Sequence, residues 1–108
     1  MPSKAWKSCE RNIARITGGE RMSSRNLGLD SADVVTPAFS YEVKERKELP
    51  QWILDAMAQS ERNARDDRTA VVVLHQLGDR YDDSLVVLRL RDWVAWHEEP
   101  KIEQSLQD

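Results

Sequence analysis

The sequence predicts a mixed α/β domain in which helices flank a β-sheet of about five strands, in the order helix, three strands, helix and further strands. Three observations carry that expectation. Apolar residues recur at helical spacing over residues 3 to 17 and again over about 50 to 65. Between these stretches Phe39, Tyr41 and Val43 alternate with Ser40, Glu42 and Lys44, the two-residue period of a strand with one covered face. Beyond them TAVVVLHQL and SLVVLRL are two short apolar runs separated by a turn-rich segment.

The first helix carries Trp6, Cys9, Ile13 and Ile16 on one stripe and stops at Gly18-Gly19. Glu10, about 40° beyond Trp6 on a helical wheel, sits at the border of that stripe and can face the protein as a third carboxylate for a metal site; the alternative is a flanking charge or a salt bridge to Arg11. Residues 20 to 31, ERMSSRNLGLDS, lack sustained periodicity and read as a loop with a short strand at its start. Arg21 and Arg25 are the strongest phosphate contacts it offers, and Ser23 or Ser24 can donate to a phosphate oxygen.

Asp33 heads the run Val34-Val35, and Thr36, Pro37 and Ala38 make the turn into the alternating strand, a hairpin that sets Asp33 where it can face Glu42. Lys44 emerges beside Glu42 on the same face. Two carboxylates on adjacent strands suit a hard divalent ion such as Mg2+, which takes oxygen ligands and often only one or two protein carboxylates, with Mn2+ as a substitute. Such an ion activates water and clamps a phosphoryl oxygen, and a lysine beside it stabilises charge developing on phosphorus. The E-x-K spacing alone says little, since it recurs at Glu45/Lys47 and Glu99/Lys101; only the first lies in an alternating strand.

Lys44, Arg46 and Lys47 form a basic cluster before Leu49-Pro50, where proline suits a helix start. The second helix places Trp52, Ile53, Ala56, Met57 and Ala64 on its apolar stripe. The run TAVVVLHQL then reads as a strand buried on both faces, reached by a crossover from the hairpin. Gly78, Asp79 and Tyr81-Asp82-Asp83 mark the next turn, and the paired aspartates read as a solvated turn. SLVVLRL is the fifth strand, Arg91-Asp92 opens a short last helix, and His75 and His97 read as structural.

Length and composition bound the rest. The 108 residues suit one domain over 1 to 97 with a polar tail at 98 to 108. A single cysteine excludes an internal disulfide and a thiolate metal cluster, and Cys9 reads as a small core residue. The start lacks the apolar core of a secretory signal and no run is long enough to span a membrane, so a cytoplasmic protein is expected. The net charge of -3 hides an asymmetry: residues 1 to 47 hold nine Lys or Arg against six Asp or Glu, and the remainder seven against thirteen. The basic excess therefore surrounds Asp33 and Glu42, where a phosphate backbone has to approach.

The helix ERNIARITGG with Glu10, the Ser and Arg loop, Asp33 before Val34-Val35 and the strand YEVKERKELPQW together resemble the PD-(D/E)XK nuclease core, and within it the small Holliday junction resolvases of the archaeal and phage type. The resemblance covers roughly residues 6 to 96 and implies a restriction-endonuclease-like fold. It implies that Asp33 and Glu42 are metal ligands, that Lys44 is the catalytic lysine, and that Glu10 completes the acidic site. Arg25 and Ser23, or Ser24 if the loop alignment slips by one, match residues that engage the scissile phosphate. The proline usual before the first aspartate is Ala32 here, a position that shapes the turn and supplies no ligand. A homodimer cutting both strands of a four-way junction in a bacterial, archaeal or virus-infected cell is also implied, with Leu54, Trp93 and Trp96 as candidate interface residues. The rival expectations are a related nuclease for flaps or other DNA, a DNA-binding module that keeps the fold without catalysis, and a protein-interaction domain without DNA affinity.

Overall fold

The computed structural model describes the backbone of residues 2–22 and 32–97, and within those spans the side chains from Lys7 onward. The described residues are mixed α/β, with three helices and two small antiparallel sheets of three and two strands. The described residues fall into two compact units, one holding those up to Glu45 together with His97, the other Arg46–Trp96.

In the first unit, helix α1 spans Pro2–Thr17 and ends as its Gly18-Gly19 pair predicts. Gly18 adopts a left-handed φ of 73° that few side chains tolerate, and the Gly19 N–H reaches back to the Ala14 carbonyl at 2.9 Å. Thr17 Oγ1 adds a bond to the Ile13 carbonyl at 2.8 Å, so the last turn of the helix keeps few orphan acceptors. Gly19 has a second role. A Cβ placed there would lie 2.7 Å from Val34 Cγ1 and 2.7 Å from the Val35 carbonyl oxygen, so its lack of a side chain lets the helix exit pass against the sheet.

That sheet has the order β1 (Glu20–Arg21), β2 (Val34–Val35), β3 (Ser40–Tyr41), with Glu20 opposite Val35 and Val34 opposite Tyr41. Val34, fully buried at 0% exposure, is its central side chain. The hairpin turn closes through the Thr36 N–H to the Phe39 carbonyl at 2.9 Å and the Phe39 N–H to Thr36 Oγ1 at 3.0 Å. Phe39, Tyr41 and Val43 are half-buried while Ser40, Glu42 and Lys44 are exposed, as the alternation predicts. Phe39 packs at a tilt on Tyr41 and edge-on against His97. The Trp6 side chain and loop residues 23–31 lie outside the described residues, as does the tail at 98–108.

In the second unit, helix α2 spans Gln51–Ala64 directly after Pro50. Its buried stripe is narrower than expected. Ile53, Met57 and Ala64 fall within one turn-aligned row, whereas Trp52 lies 100° to its side and is 60% exposed. Met57, Ala64 and Ala70 form the core here, with Val72 and Val87 packed against them. Strands β4 (Val72–Leu74) and β5 (Leu85–Val87) pair antiparallel, Val72 with Val87 and Val73 with Val86. The expectation of a strand buried on both faces does not hold. Val72 and Val87 face the α2 core, while Val73 and Val86, on the opposite pleat, are 63% and 57% exposed.

Between these strands Gly78, at φ 93°, and a 3-10 turn at Tyr81–Asp83 reverse the chain. His75 stacks on Tyr81 at 4.5 Å and its Nε2 lies 2.9 Å from the Asp79 carbonyl, a structural role as expected. Helix α3 spans Leu90–His97. The five strands expected from the sequence are thus present, in the expected order among the helices, but they pair as three and two, and every pairing is antiparallel. Strands of two or three residues form few ladder bonds, so each sheet needs packing against a helix for its stability. No helix among the described residues is long and apolar enough to cross a membrane.

Candidate active site

Asp33 is the most tightly held of the expected site residues. Its backbone N–H donates to the Tyr41 carbonyl and its own carbonyl accepts from the Met22 N–H, both at 3.0 Å, so it is pinned between the flanks of β1 and β3. Its carboxylate turns toward the hairpin's outgoing strand and accepts the Val43 N–H at Oδ2, 2.7 Å. A charged acceptor on a backbone donor makes a short, strong bond and fixes the carboxylate's orientation. Among the described residues the other oxygen, Oδ1, has no hydrogen bond.

The paired register ends with Val34 opposite Tyr41, and the Asp33 N–H reaches the carbonyl of that same Tyr41, so Asp33 departs from the register. Its carboxylate, bonded to the Val43 N–H, lies against the backbone between Glu42 and Lys44. Lys44 follows on the same pleat, its Nζ 3.1 Å from Glu42 Oε2 with both side chains more than half exposed. An exposed pair of this kind contributes only about 0–1 kcal/mol to stability, so its geometry is free to change when a ligand arrives.

Glu10 faces the protein, as its place on the helix border predicts, and is 12% exposed. Its partner is Arg21 of β1, whose Nε donates to Oε1 at 2.9 Å. Arg21, expected as a phosphate contact, is thus seen holding an acid in place. Cys9, next to Glu10 on α1, has its thiol pKa raised, first by burial and then by the Glu45 and Glu10 carboxylates nearby. Such a thiol stays protonated at neutral pH and is a poor nucleophile. Arg46 and Lys47 are exposed; Ser23, Ser24 and Arg25 lie outside the described residues. Asp82 is exposed and paired with Arg80 at 3.2 Å, in keeping with a solvated turn.

The structure thus joins Asp33 with the Glu42-Lys44 segment and, separately, Glu10 with Arg21. No cluster of three or more His, Cys, Asp or Glu poised for a metal occurs among the described residues. The hard-oxygen pair Asp33 and Glu42 nonetheless suits Mg2+, which keeps several waters and binds through one or two carboxylates plus substrate phosphate. The open cavity of about 450 Å3 bounded by Gly18, Gly19, Val35 and Pro37 sits at the turn end of the hairpin, away from Asp33. The Val43 N–H is a site group that the sequence does not reveal, because a backbone donor carries no residue signature.

Set beside known proteins, the chain matches no family model, no curated protein and no solved structure.

Proposed function

We propose that the chain is a Mg2+-dependent, structure-selective endodeoxyribonuclease of restriction-endonuclease-like type, acting on four-way DNA junctions as a homodimer. The observation that carries this reading is the Asp33 carboxylate held on the Val43 N–H, between Glu42 and its ion-pair partner Lys44. A fixed carboxylate, an exposed carboxylate on the outgoing strand and an adjacent ammonium form the donor set that hydrolysis of a phosphodiester by water needs.

Asp33 and Glu42 would hold the ion, whose chemistry is to lower the pKa of bound water and to neutralise phosphoryl charge. The Val43 N–H orients the Asp33 carboxylate, leaving Oδ1 as its outward ligand atom. Lys44, released from its exposed pair with Glu42, supplies a compact positive charge to the oxygen on which charge builds as the bond to phosphorus breaks. Arg21, steadied by Glu10, presents a guanidinium to a flanking phosphate. Glu10, engaged by Arg21, serves here as a positioning residue; it would join the metal only by exchanging that partner.

The test is cleavage of junction, flap and plain duplex substrates of matched sequence by wild type and Asp33→Asn in Mg2+. The proposal expects paired nicks on the junction that Asp33→Asn abolishes. Equal cleavage by the variant would refute the site, and preferential cutting of flaps would move the substrate assignment to the related nucleases. Metal-independent junction binding with no cleavage in Mg2+ or Mn2+ would instead establish a DNA-binding module.

A further inference from the structure

The second unit carries a cationic cavity that the hairpin site does not use. It measures about 390 Å3, opens to solvent, and is bounded by Arg65, Arg68 and Arg91 over a floor formed by the buried Ala64 and Ala70. Two acids, Glu61 and Asp92, also border it, so the lining keeps an excess of positive charge. Glu61 is already gripped by a fourth arginine, Arg89, whose Nε and Nη2 donate to its two carboxylate oxygens at 2.8 and 3.2 Å. Glu61 also feels the charge of Arg91, but none of the ion pairs among the described residues includes Arg65, Arg68 or Arg91.

The backbone supplies a second, independent observation. Arg65 caps α2 at φ 60° and ψ -144°, and it is the one non-glycine residue with positive φ among those described. Side chains seldom occupy this region, and strained residues gather at ligand clamps. A glycine would adopt the turn without strain; an arginine there places a guanidinium on the cavity wall.

We propose that the Arg65, Arg68 and Arg91 cavity binds a phosphate group. Guanidinium groups offer planar, forked donors that match phosphate oxygens, and three unpaired ones favour a multiply charged oxyanion over a carboxylate. The volume is at the small end of ligand sites, sufficient for a phosphate with part of the molecule that bears it. That molecule is a free phosphorylated compound or a nucleic-acid strand presenting its backbone. The site contains none of Asp33, Glu42 and Lys44 and stands independently of the nuclease reading.

The test is a titration of the 15N-labelled full chain with inorganic phosphate against chloride at matched ionic strength. Saturable movement of the Arg65, Arg68 and Arg91 side-chain resonances and of the Ala64 and Ala70 amides is expected, with half-saturation on the order of 1 mM. In Arg68→Gln/Arg91→Gln the response weakens at least tenfold, on the order expected when two charge-assisted partners are lost. Both substituted arginines are exposed, so the variant retains its fold, checked by an unchanged urea unfolding midpoint. Absence of saturation, or an equal response in the double variant, overturns the proposal. A short DNA duplex that displaces phosphate from these resonances identifies the backbone as the source; failure to displace it identifies a free phosphorylated compound. Glu42→Ala keeps the phosphate response, so loss of nuclease activity and loss of this site are separable.

Discussion

Asp33 has two jobs that different substitutions separate. Its carboxylate accepts the Val43 N–H at Oδ2, and in the proposed site its other oxygen is the metal ligand. Asp33→Ala orphans that N–H and should cost about 1–2 kcal/mol of stability in urea unfolding, whereas Asp33→Asn keeps an acceptor and should cost less. Both should abolish cleavage, so activity lost without stability marks the chemical role. Lys44 is the converse case. Its exposed pair with Glu42 stabilises little, so Lys44→Ala should leave the unfolding midpoint unchanged while lowering cleavage on the order of 100-fold, as removal of a charge-stabilising donor does elsewhere. The alternation of Phe39 to Lys44 made the two faces of this strand legible in the sequence, because a period of two assigns faces without any knowledge of the partner strand. The partner of Glu10 was less legible. Its border position suggested an acidic site or a salt bridge to Arg11, whereas the short β1 brings Arg21 back over α1 as the partner.

At the scale of elements, Gly19 ties α1 to β2 through the space where a side chain would be. Gly19→Ala drives a methyl into the Val34 side chain and the Val35 backbone and should destabilise by roughly 1–3 kcal/mol, measured by thermal or urea unfolding. At the end of α2 the sign reverses. Arg65→Gly relieves an unfavourable φ and, after the extra entropy of glycine in the unfolded chain, should stabilise by about 1 kcal/mol while weakening phosphate binding. The link from α2 toward α3 is pH-sensitive. The Arg89 hydrogen bond holds Glu61 below its ordinary pKa, so its stabilisation is present above the usual carboxylate range and is lost as pH falls through the lowered value. Glu61→Gln should flatten this acid limb of the unfolding midpoint against pH. The three-arginine cavity had no sequence signature, since Arg65, Arg68 and Arg91 are spread through the acidic half of the chain and meet only when α2, the strand hairpin and α3 fold together.

Across the whole molecule, helix positions and element order were readable because caps and stops are local: Pro50, Gly18-Gly19 and the turn at Gly78 act within a few residues. Sheet partnership was not readable, because the run TAVVVLHQL says that its residues are apolar without saying which pleat is covered. The exposed Val73 and Val86 record that ambiguity, and the five strands divide into two antiparallel sheets where a single mixed sheet was expected. The proposed chemistry needs only the first of these sheets, since Asp33, Glu42 and Lys44 all belong to the β2–β3 hairpin. The most direct measurement is cleavage of a labelled four-way junction by wild type and Glu42→Ala, with and without Mg2+, beside a duplex of the same arms. Paired symmetrical nicks that require both the metal and Glu42 and are absent on duplex are the predicted result; nicking that persists in Glu42→Ala, or no nicking by the wild type in Mg2+, would contradict it.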